Sequence, residues 1–345
     1  MKQMEDAEMK KLREIAGAFP RHPWQINQLL EADAEIIEFK NKSFQYLVFK
    51  IDGIHEEIEQ KLYDDPFLIG WMGITVTISD LVAVGALPFG ILISLQIPQN
   101  IDKKWLRNLQ KGINEACKIY QVNILGGDTN FVPAIAIVST GIGTIADKEK
   151  TLLRKNMAVG ELLYSMGKLG LGNAFAYAHF FDKSIKIKYR PTAKLNESRL
   201  IQNFATACMD TSDGLFPALS VLSEINNIGF HLCNPVENIV HKEVLKIEKK
   251  SKVPLWTFLA GPHGEYELLF SIPPTRQTEF EKACKDDGWK PVFLGKITSK
   301  KQIQFISNNK TIECQPALIP NLFQTCKNDV QLYFDMLMKQ DAKWQ

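Results

Sequence analysis

What this 345-residue chain lacks narrows it first. Its six cysteines (Cys117, Cys208, Cys233, Cys284, Cys314 and Cys326) include no C-x-x-C pair. That spacing fits neither a zinc knuckle nor a small disulfide scaffold, so reduced thiols are expected. Charge of one sign is not in excess: 23% of residues are charged and the formal net charge is +2. Such a balance gives no reason to expect nucleic acid or an acidic membrane surface as partner. No stretch approaches the ~20 apolar residues of a membrane span. The N-terminal MKQMEDAEMKKLREIAGAF has no apolar run of the signal-peptide kind and reads as an amphipathic helix. Internal repeats, low-complexity segments and long flexible linkers are all missing. Cytoplasm is the expected location.

What is present is an ordinary globular composition, 45% hydrophobic, in a chain too long for one compact core. Strands and helices alternate. Tyr46–Ile51 is a strand that ends at Asp52. Leu68, Trp71, Ile74, Ile78, Leu81 and Val82 give a helix from Phe67 to Val84 with a buried face, stopped by GALP at 85–88. A strand at Phe89–Gln96 and a helix at Lys103–Tyr120 follow, the helix with its stripe at Leu106, Leu109, Ile113 and Cys117. The strand VNIL then runs into GGDTN, and Ala134–Ile142 is a further strand. Beyond residue 150 come a strand and glycine turn in GELLYSMGKLG, helices at Asn196–Ala207 and Leu215–Asn226, and a polar helix near Gln277–Asp287. The expected organisation is an α/β domain over residues 1–148 and an α+β domain over 149–345.

Carboxylates at the ends of apolar runs carry the chemistry. Asp52 follows a strand, Asp80 sits in TISDLVAVGA, Asp128 in LGGDTN, and Asp210 and Asp213 flank a serine in MDTSDG. Magnesium takes hard oxygen ligands and works with substrate phosphates. Gly126, Gly127 and Gly214 let backbone N–H groups approach phosphate oxygens. Each motif alone has a plainer reading: an Asp-Gly pair is more often a turn than a ligand, and Asp80 alone reads equally as a helical residue facing water. The set is harder to dismiss. Trp71 and Cys208 read as core, and His55 and His263 as loop hydrogen bonders. Lys50 reads two ways, as a solvent-facing lysine and as a neighbour of a metal ligand.

MGITVTISDLVAVGALP, NILGGDTN, YRPTAKL, ACMDTSDGL and HGEYELLF stand in the order found in thiamine-monophosphate kinases. The chain thus resembles that branch of the aminoimidazole-ribonucleotide synthetase (AIR synthase-related) superfamily, from about Glu31 to Ile297. The resemblance implies a two-domain fold, an N-terminal sheet that forms a barrel at a homodimer interface, and ATP between the domains. It implies magnesium ligands at Asp33, Asp52, Asp80, Asp128, Asp210 and Asp213. It implies nucleotide contacts at Gly127, Asp128, Arg154 and Ser212. Asp128 and Asp213 are the candidates nearest the catalytic step. Several metal ions would neutralise the triphosphate, and Arg154 would stabilise a phosphoryl group in flight.

Departures from the family pattern fall largely on the acceptor side. G-D-D-A-A has become EADAE at 31–35, T-T-D has become KID at 50–52, and G-E-D-Y-E-L has become HGEYEL at 263–268. The family's substrate-binding histidine falls on Glu59, so Glu59 and Glu265 are the expected acceptor-binding residues. The resemblance implies an ATP- and magnesium-dependent phosphotransferase of thiamine biosynthesis with an altered acceptor site. Two alternatives remain: activation of an amide or carbonyl oxygen by ATP, as in the superfamily's synthetases and dehydratases, and a non-catalytic nucleotide-binding relative.

Overall fold

The structure, a computed structural model, describes Met9 and residues 26–28, 30–38, 46–327 and 329–344. The amphipathic helix expected at the N-terminus lies outside these residues apart from Met9. The chain forms two units: His22–Leu152 with Arg190–Asn203, and Leu153–Tyr189 with Phe204–Gln345.

The first unit is a five-stranded sheet under two helices. Its strands are β1 (Glu35–Glu38), β2 (Tyr46–Ile54), β3 (Leu87–Ile97), β4 (Asn123–Phe131) and β5 (Ala136–Ile145), in the order β1-β2-β5-β3-β4. Only β3 and β4 pair parallel, and the Lys103–Tyr120 helix between them supplies the crossover that a parallel pair requires. Asp102 caps that helix by accepting from the Trp105 N–H at 2.8 Å. The β2–β5 register runs unbroken from Tyr46↔Ile145 to Ile54↔Ile137. Successive side chains alternate between the faces, so Tyr46, Val48 and Ile54 are buried while Ile51 stands exposed.

The Pro66–Ala83 helix covers the buried face. Asp65 caps it and Pro66 opens it. Small residues on β5 bring it close: a Cβ on Gly141 would lie 2.7 Å from the Thr77 methyl. The two helices cross through a reciprocal pair of glycines. A Cβ on Gly70 would meet the Leu109 carbonyl oxygen at 2.1 Å, and one on Gly112 would meet that of Phe67 at 2.1 Å. The returning segment seals the end of the helix, where the Trp71 indole N–H donates to the Pro191 carbonyl at 2.7 Å. The Arg190 guanidinium lies 3.9 Å over the Trp71 ring and bonds Glu115 at 2.8 Å.

Two expectations are corrected here. Pro66–Ala83 is, by length and composition, apolar enough to cross a membrane, yet 89% of it is buried in the core, which accounts for its apolarity. The strand begun by VNIL does not stop at GGDTN: β4 continues through Asp128 to Phe131. Among the described residues β1 and β4 each have one neighbour, so the sheet is open rather than closed into a barrel within one chain.

The second unit is a seven-stranded sheet, β12-β11-β8-β10-β6-β9-β7. These strands are β6 (Leu162–Ser165), β7 (Ala207–Asp210), β8 (Gly229–Leu232), β9 (Leu268–Ile272), β10 (Val292–Thr298), β11 (Ile303–Ser307) and β12 (Lys310–Cys314). Only β8 and β11 pair parallel. Its core gathers Phe216, Phe230, Trp256 and Phe305. The C-terminal tail is a helix, Val330–Trp344, fastened to that core. Asp341 accepts from the Trp256 indole at 2.6 Å, and Trp344 meets the Trp256 ring edge-on at 4.8 Å. The mixed α/β, two-sheet architecture is the one expected.

Candidate metal and phosphate site

In the first unit the predicted carboxylates surround a lysine. Lys50 and Asp52 are two residues apart on β2, so both project to the helix-covered face, and Asp80 reaches the same place from the helix. Lys50 Nζ lies 2.9 Å from Asp80 Oδ2 and 3.7 Å from Asp52 Oδ2. Asp80 is buried, 5% exposed, and so is Asp33, whose negative charge also acts on Lys50. Burial disfavours the Lys50 ammonium, but the charges of Asp80, Asp52 and Asp33 outweigh that and raise its pKa. Asp52 is not at a strand end as expected: β2 continues to Ile54, and Asp52 Oδ1 accepts from the Gly53 N–H at 2.7 Å. Hard carboxylate oxygens on two rigid elements fit a magnesium ion by donor chemistry.

Asp128 stands apart from that cluster. The registers Gly53↔Val138, Val138↔Ser94 and Ser94↔Asp128 put it in one row across the sheet. Asp128 therefore belongs to the open face, opposite to Lys50 and Asp52, and three strand spacings from β2, about 14 Å. It is exposed and accepts from the Asn130 side chain at 2.6 Å. Gly127 is required by close packing, since a Cβ there would lie 2.0 Å from the Ile93 carbonyl oxygen.

In the second unit two motifs far apart in the chain are joined through Thr211. β7 and β9 pair with Asp210 opposite Leu268. The Thr211 N–H donates to the Glu267 carbonyl at 2.8 Å, and the Glu267 N–H donates to the Thr211 hydroxyl at 3.1 Å. That hydroxyl donates to Glu265 Oε1 at 3.0 Å, and Glu265 Oε2 accepts from the Gly170 N–H at 2.7 Å. Glu265 is thus buried with both oxygens engaged. Burial first, and then the charge of Glu267, push its pKa up to about 8. Gly264 fits only without a side chain, because a Cβ would lie 1.6 Å from the Thr211 carbonyl oxygen. Buried Asp210 accepts from the Ser212 hydroxyl at 3.1 Å. Asp213 is exposed on the turn that leads through Gly214 into the Leu215–Asn226 helix.

The remaining predicted residues lie elsewhere. Arg154 is half-buried in the second unit, where its carbonyl accepts from the Asn226 side chain at 2.9 Å. Glu59 ends the short Glu56–Glu59 helix, 75% exposed and 4.0 Å from His55 Nε2. His263 is half-buried beside Asn173, and burial pulls it down to about 4. Thr211, Gly170 and Glu267 are not singled out by the sequence, although Thr211 lies in ACMDTSDGL, Glu267 in HGEYELLF and Gly170 in the glycine turn of GELLYSMGKLG.

Comparison with known proteins bears on the family and the fold. The family profile described as AIR synthase related protein, N-terminal domain, matches residues 31–145. Thiamine-monophosphate kinase of Pyrococcus horikoshii is 31% identical over 252 residues, covering 72% of this chain and 78% of that protein. Its counterpart from Aquifex aeolicus is 26% identical over 263 residues, covering 74% and 84%. Among solved structures, AaThiL complexed with AMPPCP and TMP superposes with a TM-score of 0.71 at 21% identity, covering 91% of this chain and 98% of that one. HypE of E. coli, a hydrogenase maturation protein, gives 0.67 at 15%, covering 89% and 97%. At those identities the structural likenesses speak for the fold alone.

Proposed function

This chain belongs to the AIR synthase-related family as a thiamine-monophosphate-kinase-like member, and from that premise we propose that it is a phosphotransferase using ATP and magnesium. The observation that carries this reading is that Asp52 on β2 and Asp80 on the helix converge on Lys50, with the charge of Asp33, from the bend before β1, acting on the same ammonium. Asp210 and Asp213 in the second unit, and Asp128 on the opposite face of the first sheet, are the further proposed metal ligands, with Gly127, Ser212 and Arg154 on the nucleotide. Magnesium, when bound, supplies positive charge against the phosphates. Asp80 and Asp52 are held by helix and strand, so their oxygens need little reorganisation to receive it. Ser212 fixes one oxygen of Asp210. The domain reading, residues 1–148 and 149–345, and a cytoplasmic homodimer belong to the same proposal.

The acceptor in this reading is a small molecule other than thiamine monophosphate. Glu59, at the position expected to meet it, is acidic and exposed. A carboxylate accepts hydrogen bonds only and repels a phosphate monoester at close range. Glu265, its expected companion, spends both oxygens on Thr211 and Gly170, which suits it to holding the Asp210–Asp213 turn.

The test is purified protein with ATP, magnesium and thiamine monophosphate, following ATP loss and products by chromatography. Magnesium-dependent ATP consumption with little thiamine diphosphate is expected. Conversion at a kcat/KM of about 10⁴ M⁻¹s⁻¹ or more, ordinary for an enzyme, would overturn the acceptor reading. No ATP turnover with any phosphate or amide acceptor would overturn the enzyme reading.

A further inference from the structure

Lys50 pairs with two of the carboxylates expected to hold metal in the first unit. Its ammonium sits 2.9 Å from one oxygen of Asp80 and 3.7 Å from one of Asp52, and Asp33 is the third carboxylate acting on it. A lysine in mid-strand normally turns its head to water and keeps only its stem on the protein. Here the alternation of β2 directs it under the helix, and its side chain is only 26% exposed. The site therefore holds a fixed monovalent cation bonded to Asp80 and within ion-pair range of Asp52, side chains that would otherwise collect metal.

We infer that Lys50 is a built-in counter-ion that takes the place of one divalent cation in this carboxylate cluster. The inference rests on the functional reading above, in which these aspartates receive magnesium. Asp33, Asp52 and Asp80 carry three negative charges and Lys50 cancels one of them, which weakens the field that would draw divalent ions to these three side chains. An ion placed beside the ammonium also meets like-charge repulsion. The lysine also holds Asp80 in place whether or not metal is bound. Divalent ions should then be needed for the nucleotide, not for the integrity of this face of the sheet.

The experiment counts ions. Manganese binding is followed by electron paramagnetic resonance with saturating AMPPCP, for the full chain and for Lys50→Met and Lys50→Arg. Methionine keeps the stem without the charge; arginine keeps the charge. Lys50→Met should bind one more ion per chain than the wild type, or bind manganese about tenfold tighter, and Lys50→Arg should match the wild type. Equal counts and affinities in the wild type and Lys50→Met would overturn the role of Lys50, while leaving the functional reading intact. No manganese bound by the wild type with nucleotide would overturn the functional reading itself.

Thermal melting covers the case in which Lys50→Met is weakened. Exchanging EDTA for magnesium, without nucleotide, should shift the wild-type Tm by about 2 °C or less. Lys50→Met should rise by about 5 °C or more, as expected when a ligand binds the native state alone. A wild-type shift as large as the variant's would overturn the inference.

Discussion

Thr211 donates its hydroxyl to Glu265 across 54 residues of chain, at 3.0 Å, with both side chains buried. That bond ties the turn carrying Asp210, Ser212 and Asp213 to the strand beginning at Leu268. Its cost is a carboxyl group held out of water beside Glu267, and the pH dependence of stability should expose it.

Glu265 is pushed up to about 8 in the folded chain, against 4.5 ordinarily. The native state thus holds a proton that the unfolded chain releases. The associated stability is complete below about pH 4.5 and is lost as pH rises through about 8. His263, pulled down to about 4, works in the opposite direction up to about pH 6.5. Between pH 6.5 and 8 the wild type should therefore lose on the order of 1–2 kcal/mol relative to Glu265→Gln. Urea midpoints at the two pH values measure this; parallel profiles would refute it.

Gly112→Ala should destabilise the first unit. Its new methyl meets the Phe67 carbonyl at 2.1 Å, so the helices must separate, at about 1–3 kcal/mol for overpacking. Gly160→Ala tests a different effect, since nothing lies within 4 Å of that site and its strain is that of positive φ alone. Thermal melts of both should rank Gly112→Ala as the more damaging. The reverse order would argue against the close helix crossing.

Asp213→Asn should weaken magnesium-dependent nucleotide binding at least tenfold while leaving the melting temperature nearly unchanged. Its side chain is exposed on a turn, which suits the ligand role proposed for it. Arg154→Ala should raise the apparent KM for ATP by about ten- to a hundredfold, as for a lost charged hydrogen bond. Titration calorimetry and steady-state kinetics decide these. Unmoved ATP affinity in both variants would remove the two residues from the site.

The open face of the first sheet should be covered by a second copy of the chain. It carries Ile51, Leu92 and Phe89, the last 64% exposed, and ends at β4, an edge strand exposed throughout. Apolar surface beside a free edge invites pairing. Light scattering at micromolar concentration should give about twice the chain mass, falling to the monomer in Phe89→Glu. A monodisperse wild-type monomer would count decisively against the dimer.

Much of this architecture could be read from local patterns. The Lys103–Tyr120 helix followed from its apolar stripe, and it runs between the residues expected. Trp71 and Cys208 are buried, as core residues should be. The failures lie where polar residues occupy apolar positions. Lys50 and Asp52 fall in the buried phase of β2, so the strand seemed to stop at Ile51, because alternation is recognised by its apolar members. The glycines of GGDTN suggest room for phosphate oxygens, whereas Gly127 serves close strand packing against Ile93. The bonds from Thr211 to Glu265 and Glu267 depend on β7 lying beside β9, and no local pattern announces a pairing between segments so distant.

The hold of Pro191 on Trp71 bears on how this protein can be divided. The first unit owns a remote stretch, Arg190–Asn203, whose codons lie beyond the start of the second. A gene fragment ending at residue 152 would encode all five strands of the first sheet. It would omit the carbonyl that receives the Trp71 indole and the guanidinium stacked on its ring. A buried indole N–H left unsatisfied costs about 1–3 kcal/mol, before the bared aromatic surface is counted. The two halves are therefore interleaved along the gene, and exchange of either between relatives would have to carry both of its separated pieces.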